Sequence, residues 1–253
     1  MTPPFDRSQA LASVPHGFFG RQGGHSLGAF SGNNVSLAVG DVAETVVTNR
    51  AGVAEAIGFT LDKLCLLRQV HSASVHVVTK QPLDTVSVEA DALVTNQPGL
   101  LLGILTADCT PILLGDIEAG VIGAVHAGWR GAVSGIAGNT IAAMVELGAR
   151  PDRIVAAIGP TISQRNYEVG PQFAAELLVL YPDACNRLVK SENGLEHFDL
   201  PGFVSDCLVK AGVATIEDLG LCTYAEPERF FSHRYATHHG QSTGRQIAVI
   251  GLT

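Results

Sequence analysis

Three residues whose side chains bind metals or act as nucleophiles each lie at the end of an apolar segment. They are His71, Cys109 and His126. Loops at the ends of strands are where a rigid scaffold presents functional groups. Two imidazoles and one thiolate can fill three positions of a tetrahedral zinc and leave the fourth for water or substrate, as catalytic sites require. These residue types allow a catalytic zinc site, but their wide spacing matches no zinc-finger pattern. A buried Cys packed as a small apolar residue and hydrogen-bonded core histidines explain the same residues.

A carboxylate stands beside one of these three residues. Asp108 directly precedes Cys109 and lies in the otherwise apolar segment 100–114, where a solvated charge has no obvious place. It could orient a ligand, act as an acid or base, or simply cap a turn.

Two arginines stand beside glycines, whose small size lets the backbone approach a ligand closely. Arg130 lies between two glycines and follows the single Trp of the chain, and Arg21 precedes a Gly-Gly pair. A guanidinium suits phosphate or carboxylate, and glycine-rich loops can bind anions through backbone amides. Both arginines are therefore candidate phosphate-binding residues, although residues 18–25 match neither a P-loop nor a dinucleotide fingerprint and fit an ordinary turn as well.

The spacing of apolar residues predicts the elements that position these groups. Val42, Val46, Val53 and Ile57 follow helical spacing before Gly58 and predict a first helix. Short apolar segments separated by turn residues predict strands at 64–70, 74–79, 92–95, 100–106, 111–114 and 121–126. Several of these segments are apolar on consecutive residues, which is typical of strands buried on both faces.

The second half of the chain continues the mixed pattern. It predicts one long helix at 133–147, a strand at 154–158, helices at 171–180 and 201–211, and a last strand at 246–252. Strands cluster in the middle instead of alternating strictly with helices, which predicts a mixed α/β fold. The length of 253 residues permits one domain over 1–253.

Composition excludes several classes of protein. Hydrophobic residues make up 46% of the chain and charged residues 16%, which excludes disorder as the main state. The net charge of −8, without a stripe of Lys or Arg, argues against nucleic acid as the main partner. Apolar stretches shorter than a bilayer and the lack of an apolar signal core predict a soluble, cytoplasmic protein without membrane partners. Five widely spread cysteines argue against a disulfide framework.

A series of short motifs along nearly the whole chain carries a more specific signal. The most specific are Gln69-Val70-His71-Ser72, Thr106-Ala107-Asp108-Cys109 and His126-Ala127-Gly128-Trp129-Arg130-Gly131. Together they resemble the laccase-domain family, whose members are also called purine nucleoside phosphorylases, multicopper polyphenol oxidases or YfiH-like proteins. The chain departs from the family where Ser232-His233-Arg234-Tyr235 replaces the usual Ser-Tyr-Arg-Arg, a change that bears on substrate preference.

The resemblance implies a domain of mixed sheets flanked by helices in an α/β/β/α sandwich, similar to that of certain cysteine hydrolases. That similarity keeps a metal-free alternative open, in which Cys109 is the nucleophile and His71 or His126 the base, with Asp108 orienting the imidazole. It implies a zinc site at His71, Cys109 and His126, which with Asp108 are the expected catalytic residues. The residues expected to bind substrate or phosphate are Arg21, Asn34, Gln69 and Arg130. The oxidase name leaves copper as another cofactor, but a multicopper site needs many histidines and three converging ligands suit zinc better.

The function implied is zinc-dependent phosphorolysis of adenosine, inosine, guanosine and methylthioadenosine, together with deamination of adenosine. The expected partners are purine nucleosides and inorganic phosphate, and the chain is expected to be a monomer or homodimer. Two alternatives remain from the same resemblance. One is a hydrolase that edits peptidoglycan precursors by removing misincorporated serine through the metal or Cys109, and the other is a copper polyphenol oxidase.

Overall fold

The computed structural model describes residues 2–79, 88–192 and 194–253. Within these residues there are six α-helices: α1 (Ala43–Ala56), α2 (Trp129–Val133), α3 (Ile136–Glu146), α4 (Pro171–Leu180), α5 (Leu200–Lys210) and α6 (His233–His238). The strands are β1 (Phe5–Asp6), β2 (His16–Phe19), β3 (Leu64–Cys65), β4 (Val75–Val77), β5 (Ala92–Thr95), β6 (Leu100–Thr106), β7 (Thr110–Asp116), β8 (Val121–Ala127), β9 (Val155–Ile158), β10 (Glu168–Val169), β11 (Leu188–Lys190), β12 (Glu196–Phe198), β13 (Thr215–Asp218) and β14 (Gln246–Leu252). None of the helices in these ranges is long and apolar enough to cross a bilayer.

The six-stranded sheet has the order β13-β9-β7-β8-β5-β4. Its centre is the antiparallel hairpin of β7 and β8, in which every residue is buried. This confirms the prediction of strands covered on both faces. On its other side β8 pairs antiparallel with β5, with Ala92 opposite Val125. That register brings the residue before β5 beside the end of β8, where His126 lies.

The five-stranded sheet has the order β1-β2-β14-β6-β3. Its longest pairing joins β14 to β6 in antiparallel register, from Gln246 opposite Thr106 to Leu252 opposite Leu100. Strand β14 has the bounds predicted from the sequence. A third, small sheet has the order β10-β12-β11 and lies between the helical segments of the second half of the chain.

The two large sheets stack face to face, and helices cover their outer faces. Between the sheets, Leu102 and Ile250 pack in one buried cluster with Leu113 and Ala124. Helix α1 packs on the outer face of the five-stranded sheet, and α3 and α5 pack on the outer face of the six-stranded sheet. Burial of each large apolar side chain contributes about 1.5–3 kcal/mol. The four layers confirm the predicted α/β/β/α architecture.

The long helix predicted at 133–147 is wrong in one respect, because it is two helices. Gly135 has φ 90° and separates α2 from α3. A residue in this left-handed region cannot continue a right-handed helix. The apolar spacing runs across the break because Val133 and Ile136 pack against the same core.

The strand predicted at 64–70 ends after two residues. Beyond Cys65, the side-chain amide of Gln69 takes the place of a backbone partner on β6. Its Nε2 donates to the Leu105 carbonyl at 2.7 Å, and its Oε1 accepts from the Leu105 N–H at 2.8 Å. The apolar residues Leu66 and Leu67 remain buried without forming a ladder, which is why the sequence pattern reads as a longer strand.

Candidate metal centre

Three donor side chains meet at the ends of different strands. His71 lies in the loop before β4, Cys109 directly precedes β7, and His126 belongs to β8. Their ligand atoms all lie within 4.8 Å of one another, and they form the one group of this kind within the ranges that the structure describes. The Sγ of Cys109 is 3.9 Å from Nε2 of His71. The predicted triad is therefore brought together.

A fully buried carboxylate, Asp91, organises two of these ligands. Its Oδ1 accepts a hydrogen bond from Nδ1 of His126 at 2.8 Å and from the backbone N–H of His71 at 3.0 Å. Its Oδ2 accepts from the N–H of Val70 at 3.2 Å and from the N–H and hydroxyl of Ser72 at 2.6 and 2.8 Å. Burial raises the pKa of Asp91, but the hydrogen bonds from His126 and Ser72 outweigh it and lower the pKa to about 2.

The site holds two residues in a backbone conformation that L-residues rarely adopt. His71 has φ 60° and Asp108 has φ 92°, and they are the non-glycine residues with positive φ in the described part of the chain. Such residues cost about 1–3 kcal/mol each and persist where their surroundings fix them. The contacts of Asp91 with the backbone around His71 supply that restraint on one side.

Charge around Cys109 favours a thiolate. Burial raises the pKa of the thiol, but His126 and His71 outweigh it and lower the pKa to about 6. For His126, burial lowers the pKa, but the interactions with Cys109 and Asp91 outweigh burial and raise the pKa. The thiolate is the form that both binds metals and attacks as a nucleophile. The electrostatics alone are therefore compatible with a metal ligand and with a catalytic cysteine.

Asp108 is held by partners different from those of Asp91. Its Oδ1 accepts from the Thr223 hydroxyl at 2.6 Å, and its Oδ2 accepts from the backbone N–H of Arg234 at 2.6 Å. Neither oxygen contacts His71 or His126, so Asp91 orients the imidazole, the task that the sequence suggested for Asp108.

The absence of a side chain at Gly128 leaves space for the side chains of His71 and Cys109. A Cβ at this position would lie 2.9 Å from Cδ2 of His71 and 3.2 Å from Sγ of Cys109. Such separations are shorter than ordinary van der Waals contacts between carbon atoms. The glycine of the Ala-Gly-Trp-Arg-Gly motif is therefore needed by side-chain packing around the site.

Two adjoining cavities open on the cluster. The larger, of about 430 Å³, is the more polar of the two and is lined by His71, His126, Gln69, Arg68 and Arg245 among others. The smaller, of about 180 Å³, is mainly apolar. It is lined by Ala107, Asp108, Cys109, Ile162, Tyr167, Leu200, His233 and Arg234. Both contain Cys109 and His233 in their walls, so the thiol stands where the two cavities meet.

The four residues expected to bind substrate or phosphate are not gathered in one place. Gln69 lines the larger cavity, but its amide is engaged by Leu105. Asn34 is buried and bonds Asp41, Ser36 and the N–H of Arg245. Arg21 stacks on Phe231 and Arg130 on Trp129, at 4.7 and 4.6 Å from the ring centroids. Neither arginine lines the two cavities.

Three residues of the site were not singled out from the sequence. Asp91 begins an apolar strand, and the reasoning that marked Asp108 as a misplaced carboxylate applies to it equally. Arg245 precedes the buried strand β14, where a charge is also unexpected. Tyr167 carried no signal beyond its motif, since an aromatic residue of this kind is usually core.

The triad fits a zinc ion in donor type and spacing. Zinc binds nitrogen at about 2.0–2.1 Å and sulfur at about 2.3 Å, which places tetrahedral ligands about 3.4–3.7 Å apart. The 3.9 Å between Cys109 and His71 is close to that, whereas the widest separation in the group, up to 4.8 Å, would have to close by about 1 Å around the ion. Because Nδ1 of His126 is engaged by Asp91, its Nε2 is the atom left for a metal, as in other sites where a carboxylate orients a ligating histidine.

Comparisons with known proteins identify the family to which the chain belongs. A family model described as multi-copper polyphenol oxidoreductase laccase matches residues 15–253. A purine nucleoside phosphorylase from Deinococcus radiodurans is 45% identical over 98% of this chain and 93% of its own length. An adenosine deaminase from an unknown prokaryotic organism is 39% identical over 88% of this chain and 87% of its own length. The crystal structure of YlmD from Geobacillus stearothermophilus has a TM-score of 0.88 at 32% identity and 99% coverage of both chains. The chain belongs to the multi-copper polyphenol oxidoreductase laccase family, as its motifs indicated.

Proposed function

We propose that the chain is a zinc-dependent purine nucleoside phosphorylase that also deaminates adenosine. The proposed nucleosides are adenosine, inosine, guanosine and methylthioadenosine. The observation that carries the proposal is the convergence of His71, Cys109 and His126 where a cavity with mixed polar and apolar walls meets a mainly apolar one. Relatives named for the two reactions, at 45% and 39% identity, support it.

The two cavities suit the two halves of a nucleoside. In the smaller one, the apolar side chains of Ile162 and Leu200 and the ring of Tyr167 form a wall against which a purine can pack. No group in the described ranges bonds the Tyr167 hydroxyl, and burial raises the pKa of this phenol above its ordinary value. The hydroxyl therefore stays protonated and can donate a hydrogen bond to a nitrogen of the base. The sugar and phosphate would occupy the larger, more polar cavity.

Zinc held by His71, Cys109 and His126 would act as a Lewis acid that polarises an oxygen of water or substrate. Asp91 keeps the His126 ring in one orientation and one tautomer, with Nδ1–H directed at its carboxylate. We assign the acid or base role to Asp108, which lines the cavity proposed for the base. Each of its oxygens accepts one protein hydrogen bond, and a carboxylate has capacity for about four, so it can still receive a proton or hydrogen bond from the substrate.

In this proposal Asn34 and Gln69 act by fixing the walls of the site, because their amides bond protein groups. Arg21 and Arg130 would have to leave their aromatic partners to reach the larger cavity. Their role in phosphate binding remains a prediction from the sequence.

One observation favours a second candidate, a cysteine hydrolase such as one that edits peptidoglycan precursors. Cys109, His126 and Asp91 lie in the order nucleophile, base and orienting carboxylate, and the pKa of the thiol is lowered to about 6. That is the arrangement of a catalytic triad. The bond between Asp91 and His126 serves this mechanism as well as it serves zinc, so the two candidates must be separated by their products.

A screen of purine nucleosides with and without inorganic phosphate tests the proposal. We expect free base and ribose 1-phosphate only when phosphate is present, and inosine from adenosine in either condition. Release of serine from a cell-wall precursor, with no nucleoside consumed, would contradict the proposal and support the hydrolase. Asp108→Asn should reduce nucleoside turnover about 10²- to 10⁴-fold if the carboxylate is the acid or base.

A further inference from the structure

We propose that Arg245 is the phosphate-binding residue of the larger cavity, an inference that rests on the proposed phosphorolysis. Two arginines line this cavity, Arg68 and Arg245. The guanidinium of Arg68 is 2.8 Å from the carboxylate of Glu89, so its charge is already balanced. Among the residues that the structure describes, no carboxylate pairs with Arg245. The cavity therefore contains a cation that is free to take an anion.

The guanidinium of Arg245 is held in a fixed direction by its own loop. Its Nη1 donates to the carbonyls of Gly244 at 2.9 Å and Thr243 at 3.4 Å. No oxygen in the described ranges accepts from its Nε or Nη2. These two donors form one edge of the planar fork, which matches two oxygens of a phosphate. An oriented side chain with an open edge loses little entropy when it binds an anion.

The loop that carries Arg245 is fixed in part by Asn34, which the sequence predicted to bind substrate or phosphate directly. Oδ1 of Asn34 accepts from the backbone N–H of Arg245 at 2.9 Å. At Gly244, a Cβ would lie 2.8 Å from Cζ of Phe231 and 3.0 Å from Cβ of Asn34, so the backbone is packed closely there. Asn34 is therefore a positioning residue, which acts on phosphate through Arg245.

The charge of Arg245 is only partly compensated within the protein. Desolvation lowers the pKa of Arg245, whereas the negative charges of Cys109 and Asp108 act in the opposite direction without a contact that pairs with the guanidinium. A guanidinium stays charged in either case, and a partly buried charge without a partner is costly. An incoming phosphate dianion would remove that cost, and His233, which lines the same cavity and is not one of the proposed metal ligands, adds a donor to which another phosphate oxygen can bond.

The test compares Arg245→Gln with two other single substitutions. Arg150→Gln is the matched control, because Arg150 is an exposed arginine whose partner is Asp152. Arg130→Gln tests the alternative assignment from the sequence. For each purified protein, the KM for phosphate in inosine phosphorolysis and the Kd for inorganic phosphate by calorimetry are measured. Thermal unfolding confirms that each variant is folded.

Loss of two charge-assisted hydrogen bonds should raise both constants about 10- to 100-fold in Arg245→Gln. The KM for inosine should change much less, and Arg150→Gln should match the wild type. Arg245→Lys, which keeps the charge but not the fork, should lie between them. The inference is overturned if Arg245→Gln lowers kcat while the Kd for phosphate stays the same, or if Arg130→Gln is the variant that loses phosphate.

The calorimetric measurement separates this inference from the proposed function. If the wild type binds phosphate through Arg245 but consumes no nucleoside, the phosphorylase proposal fails and the phosphate site stands. If the wild type binds no phosphate, the assignment of Arg245 is wrong. In that case, deamination of adenosine without phosphate would show whether the nucleoside site itself is correct.

Discussion

A single oxygen of Asp91 accepts hydrogen bonds from Nδ1 of His126 and from the backbone N–H of His71. The carboxylate thus joins β5, the end of β8 and the loop before β4. Because His71 has φ 60°, the loop would not be expected to hold this shape without such a partner. Asp91 therefore stabilises the local fold and also orients two of the three proposed metal ligands.

Asp91→Asn should weaken zinc binding about 10- to 100-fold. Asparagine keeps one acceptor oxygen but cannot satisfy five donors, and it no longer stabilises His126 through a charge. Zinc affinity is measured by competition with a chromophoric chelator. Asp152→Asn, which alters an exposed carboxylate paired with Arg150, is the control. Unchanged affinity in Asp91→Asn would show that the orientation of His126 does not depend on this bond.

Gly128→Ala should reduce zinc content and activity, because the new Cβ would press on Cδ2 of His71 and Sγ of Cys109. Gly138→Ala is a matched control, since a Cβ at Gly138 in α3 meets nothing within 4 Å. That control should raise the free energy of unfolding by about 0.5–1 kcal/mol. Metal analysis and chemical denaturation of both variants check these effects. A fully loaded, active Gly128→Ala protein would refute the packing described for the site.

The sequence predicts the layered core well but not the breaks within it. Helix α4 and strand β14 have the predicted bounds, because Pro171 fixes the start of the one and a continuous apolar run fills the other. Gly135 interrupts a helix whose apolar spacing continues unbroken, and Gln69 replaces strand pairing with a side chain. The first is a local change of backbone conformation at a glycine and the second depends on a tertiary contact, and apolar periodicity reports neither.

The metal triad is predictable because its residue types are chemically distinctive. Asp91 could be marked as a carboxylate beside an apolar segment, but its role could not be predicted, because its partner His126 is 35 residues away and the antiparallel register of β5 and β8 brings them together. The same limit applies to Arg245, whose place in the cavity follows from its position at the start of β14. For Arg21 and Arg130, the neighbouring glycines suggested a ligand, whereas the structure stacks both on aromatic rings.

Tyr167→Phe should raise the KM for purine nucleosides about 2- to 10-fold, which corresponds to the loss of one neutral hydrogen bond. The ring and its packing remain, so kcat for bound substrate and protein stability should change little. Tyr181→Phe removes a hydroxyl that accepts from Lys210 at 3.2 Å, outside both cavities, and serves as the control. Equal KM values for the wild type and Tyr167→Phe would argue against the base lying in the smaller cavity.

His16 should make stability depend on pH. Its Nδ1 donates to the Val14 carbonyl at 2.8 Å, and its Nε2 accepts from the Ser8 N–H at 2.9 Å, so the folded protein needs the neutral ring. Desolvation lowers its pKa below the ordinary value of 6.5. The unfolded chain therefore binds the proton more readily, and stability should decrease as pH falls below about 6.5. In urea unfolding between about pH 5 and 7.5, His16→Gln should show a smaller dependence on pH than the wild type; an equal slope would exclude His16 as the cause.

The most direct test of the metal centre is the zinc content of protein purified without added metal, compared between the wild type and Cys109→Ala. About one zinc per chain is expected in the wild type and a large loss in the variant, because the thiolate is one of three protein ligands. Removal of the metal with a chelator should abolish nucleoside turnover, and zinc should restore it. Full activity in metal-free wild type would contradict the proposed zinc enzyme and favour a metal-free mechanism.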